Sequence, residues 1–188
     1  MEFVPLSTEV LCYLSIHDPP LRRYFQGVFA ADQLPMNAQK SRAPQAYIVN
    51  TAPISEPGQH WLGVWTRDNV CEVFDSYGLP LHYYNDPTLQ EWLRQWKYLV
   101  STDQSLQALD SQTCGHYALT YLKAKARGAS LTDFMARWGP DLVSNDVRVA
   151  NELKGTVQRE LSVDGRPYDA RQQTNCSRQP FMTCNGLH

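Results

Sequence analysis

Apolar residues mark out two periods along this chain, and each predicts an element. Between Ser7 and His17, Val10, Leu11 and Leu14 fall on one side of a helix, with Ser7 or Thr8 placed to cap it and Glu9 in its first turn. Asp18-Pro19-Pro20 stops that helix, because proline lacks an N–H and restrains the residue before it. Residues 21–45 carry an aromatic cluster (Tyr24, Phe25, Phe29) and then a polar stretch; neither period is visible and no element is assigned. Residues 46–51 are rich in strand formers and read as a strand, followed by a loop over 53–59. Residues 60–65 and 70–75 read as two more strands joined by a hairpin turn at Thr66-Arg67-Asp68-Asn69. Leu89, Trp92, Leu93 and Trp96 return to helical spacing, so a helix is expected from Asp86 or Pro87 to about Trp96, with a short strand at 98–101. A helix beginning at Cys114 runs to about Arg127 and ends at Gly128. Ser130 caps another that carries Leu131, Phe134, Met135 and Trp138 on one face, and a last helix covers about 144–161.

The expected fold class is therefore α+β, a small, mostly antiparallel sheet flanked by helices. Beyond Val163 the chain turns to Gln, Arg, Asn, Ser and Gly with few apolar residues. One domain over 1–163 and a flexible tail over 164–188 are expected. A hydrophobic content of 43% supports a packed core, and a net charge of -2 gives no whole-chain pull towards nucleic acid or an acidic membrane. No apolar run approaches the roughly 20 residues that span a bilayer, and the first residues do not read as a signal peptide. The five cysteines are widely spaced and odd in number, so reduced thiols in an intracellular compartment are expected.

Cys114 changes the picture, because it stands just before Gly115 at the start of a helix. Unpaired N–H groups and the positive end of the dipole favour thiolate there. His60 is a candidate general base, and Asp75 a candidate for holding its ring. A four-residue turn pairs Trp65 with Val70 and sets His60 opposite Asp75. A two-residue turn at Asp68-Asn69 pairs Leu62 with Asp75 instead. Both place His60 and Asp75 on one face of the sheet, where opposed side chains lie about 4.5–5.5 Å apart at Cβ. An amide donor for an oxyanion could come from Gln107, Gln104 or Gln112, and chemistry alone does not choose. Gly115 could admit a substrate backbone, and Trp61 could cover it. Each residue also has a structural reading: a surface histidine, an aspartate opening the turn Asp75-Ser76-Tyr77-Gly78, a small buried cysteine, a core tryptophan. Lys123, Lys125 and Arg127 read as a solvated basic helix end. No Cys-x-x-Cys, His-Glu-x-x-His or phosphate loop is present, so neither a metal nor a cofactor is expected.

Val49-Asn50-Thr51-Ala52, His60-Trp61, Phe74-Asp75-Ser76-Tyr77-Gly78 and the run from Gln104 to Gly115 resemble the adenovirus protease (adenain) family of cysteine peptidases, with its relatives in virus-like mobile elements. That family shares a clan with the ubiquitin-like protein-specific proteases. The resemblance covers roughly residues 46–127. It implies an adenain-like fold in which His60 is the base, Asp75 the orienting acid, Gln107 the oxyanion amide and Cys114 the nucleophile. It further implies cleavage of viral or virus-like structural precursors beside glycine in a host nucleus or virion, or deconjugation of ubiquitin-like modifiers, with a non-catalytic capsid or DNA-binding relative as the remaining alternative. Adenoviral enzymes carry Glu at the acid position, where this chain has Asp75, as other clan members do. The family's activating peptide is joined through a cysteine; the matching position here is about Trp96, so an activating peptide would not be disulfide-linked. The family's DNA cofactor meets a basic surface that a net charge of -2 does not provide.

Overall fold

The computed structural model describes residues 4–38 and 41–162; the expected tail at 164–188 lies outside them. Helix α1 (Thr8–Ile16) starts at Ser7, whose hydroxyl accepts from Val10 N at 3.4 Å. One short turn of helix, α2 (Pro19–Arg22), follows; Asp18 caps it by accepting from Leu21 N. Strand β1 (Phe25–Phe29) lies in the stretch that the sequence left unassigned. Strands β2 (Gln45–Asn50), β3 (Trp61–Arg67) and β4 (Val70–Phe74) form the centre of the sheet. Helix α3 (Pro87–Arg94) leads to β5 (Tyr98–Ser101), and α4 (Cys114–Ala126), α5 (Leu131–Met135) and α6 (Leu142–Ser162) complete the chain.

The five strands stand in the order β1-β2-β3-β4-β5. The β2–β3 and β3–β4 pairings are antiparallel, whereas both edge strands pair in parallel. The fold is α+β as expected, with parallel edges added to the antiparallel centre. Arg67 pairs with Val70, so the hairpin takes the two-residue turn at Asp68-Asn69, with Asp68 in the left-handed region at φ 54°. That conformation is tolerated by aspartate better than by most residues.

Alternation along the strands feeds two cores, one on each face. Ala46, Ile48, Trp61 and Phe74 join α1, α4, α5 and α6 on one side. Tyr47, Val49, Leu62, Val64 and Val73 join α3 on the other. Helix α4 sits close to β3 because Gly63 has no side chain: a Cβ there would lie 2.8 Å from Tyr121 Cδ1 and 3.1 Å from the Ala118 carbonyl. The far end of α4 is pinned by charge. Lys125 pairs with Glu72 at 2.7 Å and Arg127 with Asp18 at 2.8 Å, so the basic run is engaged rather than merely solvated. Cys71 and Cys114 are not in disulfides, whereas Cys12 is disulfide-bonded, contrary to the expectation of reduced cysteines. Among the described residues, no helix is long and apolar enough to cross a membrane.

Candidate active site

The first residue of α4 is Cys114, where helix geometry leaves backbone N–H groups without carbonyl partners. His60 sits one residue before β3. Its carbonyl accepts from Thr51 N at 2.9 Å, and Asn50 Oδ1 accepts from both Ala52 N and Gln59 N, which draws the ends of the β2–β3 loop together. Asp75 follows β4 directly. His60 Nε2 and Asp75 Oδ1 lie 2.7 Å apart, both buried. With Nε2 engaged by the carboxylate, the other ring nitrogen, Nδ1, is left for the thiol; it has no further hydrogen-bond partner, and the Cys114 side chain acts directly on the ring.

Asp75 is held from every side. Its Oδ1 also accepts from Tyr77 N at 2.9 Å, and its Oδ2 accepts from Leu79 N at 3.0 Å and Tyr84 OH at 2.7 Å. Thr102 fixes its backbone, accepting from Asp75 N and donating to Asp75 O. Burial would push this carboxyl up, but His60 and the donated hydrogen bonds hold it below the usual carboxylate range. Burial pushes the His60 imidazole down, yet the Asp75 charge, its hydrogen bond and Cys114 outweigh that and raise the ring to about 9. Tyr77 and Tyr84 stack on the ring, with centroids 4.7 and 5.9 Å away.

Gln107 is the glutamine that the fold brings into this network. Its Oε1 accepts from Ser76 Oγ at 2.7 Å, which leaves Nε2 as the donor. Nε2 gives one hydrogen to Ser111 O at 2.8 Å and the other to Tyr77 OH at 3.3 Å. Both hydrogens are therefore engaged in this structure, and the residue is buried. Gln104 is exposed; its backbone packs under Gly78, which takes φ +63°. Gln112 is half-buried in the loop before Cys114.

Trp61 and Gly115 were expected to face substrate. The structure puts both in the packing between β3, α1 and α4. A Cβ on Gly115 would lie 3.2 Å from Trp61 Cδ1 and 3.3 Å from Leu6 Cβ, so the close approach that this glycine permits is one inside the protein. His116, two residues after the thiol, is buried too, and burial pushes its ring down to about 4.

Ser76, Tyr77, Tyr84 and Thr102 belong to the site, and the sequence reading gave none of them a role. Tyr84 lies in an irregular stretch with no period to flag it. Ser76 and Tyr77 stand inside the Asp75–Gly78 turn, which offered only a clue of proximity. Among the described residues, no cluster of three or more His, Cys, Asp or Glu could hold a metal ion. Cys114 is only 3% exposed, so access to it is narrow. Beside the catalytic candidates lies a cleft of about 760 Å³, lined by Thr51, Pro53, Glu56 and Gln59 on one side and by Tyr83, Tyr84 and Asn85 on the other.

No family model matches the chain, and no curated protein matches it. Similar solved structures include the Chlamydia trachomatis effector Cdu1 bound to ubiquitin, at 17% identity and a TM-score of 0.43, covering 55% of this chain and 49% of that one. ChlaDub1 from Chlamydia trachomatis gives 19% identity and a TM-score of 0.41, covering 55% and 48%. A protease of ASFV gives 20% identity and a TM-score of 0.38, covering 57% and 43%. The chain thus spans about half the length of these proteins or less.

Proposed function

We propose that this chain is a cysteine endopeptidase with Cys114 as nucleophile, His60 as general acid and base, and Asp75 as the residue that orients and charges His60. The observation that carries the reading is the buried 2.7 Å contact between His60 and Asp75, with the remaining ring nitrogen left for the Cys114 side chain at a helix start. A thiolate–imidazolium pair is the state that this arrangement favours. In the reaction, Cys114 Sγ bonds to the scissile carbonyl carbon. The C–N bond then breaks as His60 gives its proton to the leaving amine. Water, deprotonated by His60, adds to the thioester and releases the acid and the free thiolate. The oxyanion would draw on the backbone N–H groups at the start of α4 and on Gln107, whose longer bond, to Tyr77 OH at 3.3 Å, is the one to yield.

The substrates we propose are viral or virus-like structural precursors cut beside glycine. Narrow access to Cys114 supports a residue without a side chain at that position. The same narrow access suits the extended glycine-ended tail of a ubiquitin-like modifier, which makes deconjugation the second reading. Peptides from candidate capsid precursors and a panel of modifier fusions should be assayed side by side, with an electrophilic substrate mimic as a label. Cleavage of the precursors with labelling at Cys114 supports the first reading, and cleavage of the fusions alone supports the second. No label on the wild-type protein would show a non-catalytic domain.

A further inference from the structure

We infer that Asp146, on α6, is the positioning residue that holds the two halves of the oxyanion site in register; the inference rests on the peptidase reading above. Gln107 and Cys114 are separated by the loop 108–113. The Asp146 carboxylate bridges the ends of that loop: Oδ2 accepts from Ala108 N at 3.1 Å and Oδ1 from Thr113 Oγ1 at 2.7 Å. Ala108 follows Gln107, and Thr113 precedes Cys114, so one buried side chain ties together the neighbours of both site residues. Ser111 closes the loop inward, its hydroxyl 2.8 Å from Thr113 Oγ1 and its carbonyl accepting from Gln107 Nε2.

The same contact has a second effect. Thr113 is the N-cap of α4, a position where a threonine hydroxyl ordinarily accepts from the backbone N–H groups two or three residues on. Here the Thr113 side chain caps nothing, because its hydroxyl is turned to Asp146 and Ser111. Asp146 thereby keeps the N-cap side chain off the first turn of the helix that carries the nucleophile. Asn145 anchors α6 at this point, with its Nδ2 donating to Gly139 O at 2.9 Å and its Oδ1 accepting from Gly139 N at 3.1 Å, so the carboxylate is presented from a fixed helix start. A positioning role, rather than one at the reacting atoms, follows from its contacts, all of which are to the loop and to neighbouring side chains.

Asp146→Asn is the direct test, since the amide is nearly isosteric but can accept from only one of the two donors that the carboxylate bridges. Three readouts on the full chain separate the outcomes: peptide turnover, the rate at which iodoacetamide alkylates Cys114, and amide hydrogen exchange across 107–114. The expected result is a fall in kcat of about 10- to 100-fold with KM changed less than threefold. Alkylation should stay within twofold of wild type, and exchange should rise locally by tenfold or more. Thr113→Ser, which keeps the hydroxyl, should behave as wild type, and Thr113→Val should follow Asp146→Asn in part. Unchanged exchange and turnover would overturn the inference. So would turnover and alkylation falling together in step with the folded fraction, which would make Asp146 a general support. If the wild-type protein cleaves no substrate, the peptidase reading fails, while local exchange still decides whether Asp146 holds the loop.

Discussion

His60 and His116 are both buried histidines, one paired with a carboxylate and one two residues past Cys114 on α4, and they are driven in opposite directions. Each loses hydration, which disfavours the imidazolium. His116 has nothing to offset that loss and is pushed down to about 4. His60 has Asp75 at 2.7 Å and is raised to about 9. Burial alone therefore makes a neutral ring, and one well-held carboxylate keeps the same side chain protonated. The comparison also explains why Asp75 accepts from Tyr77 N, Leu79 N and Tyr84 OH. Those donors keep it ionised in a site where burial alone would neutralise it.

Removing either reacting group should have the largest effect. Cys114→Ala should abolish peptide cleavage while the fold persists, and His60→Ala should lower turnover by about 10³-fold or more. Cys71→Ala, in the apolar core packed against α3, should keep most activity and serves as the control. Cleavage by Cys114→Ala at near the wild-type rate would remove the assignment.

Asp75→Asn should turn His60 into a second His116. Turnover should drop by about 10²-fold or more, less completely than in His60→Ala. The alkaline limb of the pH–rate profile, expected near pH 9 where the imidazolium is lost, should move down markedly, because burial is then opposed only by Cys114. A variant whose limb stays near 9 would show that the carboxylate is not what charges the ring. Tyr84→Phe tests the same link more gently. It removes one of the donors to Asp75, and a loss of about 3- to 10-fold in kcat is expected, with a smaller downward shift of the same limb.

His116 should matter for stability and not for chemistry. Its folded pKa lies below the unfolded value of 6.5, so the unfolded chain takes up the proton first. Stability should therefore be intact above pH 6.5 and decline as the pH falls towards about 4, by up to about 3 kcal/mol. His116→Gln should flatten that decline in thermal melts while turnover changes less than threefold. For His60 the sign is reversed: its contribution is fully present below pH 6.5 and is lost as the pH rises through about 9.

Much of the contrast was legible in the residues themselves. The strand pattern put His60 and Asp75 on one face under either hairpin turn, and the helix start at Cys114 followed from its flanking sequence. What was missing depends on chain segments meeting at a distance. Strand β1 escaped because it pairs in parallel, without a hairpin turn to announce it, and because the register shifts between Phe25 and Gly27, where φ is +146°. Chemistry alone left three glutamines open, and only the fold shows that Gln107 is the buried one of the three, bonded to Ser76 and Ser111. Tyr84 and Asp146 have no local mark at all, since each gains its meaning only from the partner it reaches. For Trp61 and Gly115 the sequence allowed both a substrate-facing and a core reading, and only the fold shows Gly115 packed against Trp61, Leu6 and Leu11.

The central claim is that His60 is an imidazolium paired with the Cys114 thiolate at neutral pH. A pH titration of the histidine ring ¹⁵N signals, with assignment by His60→Ala and His116→Gln, measures it directly, and Cys114 alkylation can be followed on the same samples. The account predicts that His60 stays protonated through neutrality and titrates near 9, that His116 titrates near 4, and that Cys114 is alkylated well below pH 8.5, the rough value for a free thiol. A His60 that titrates at or below 6.5, together with an alkylation midpoint near 8.5, would contradict it.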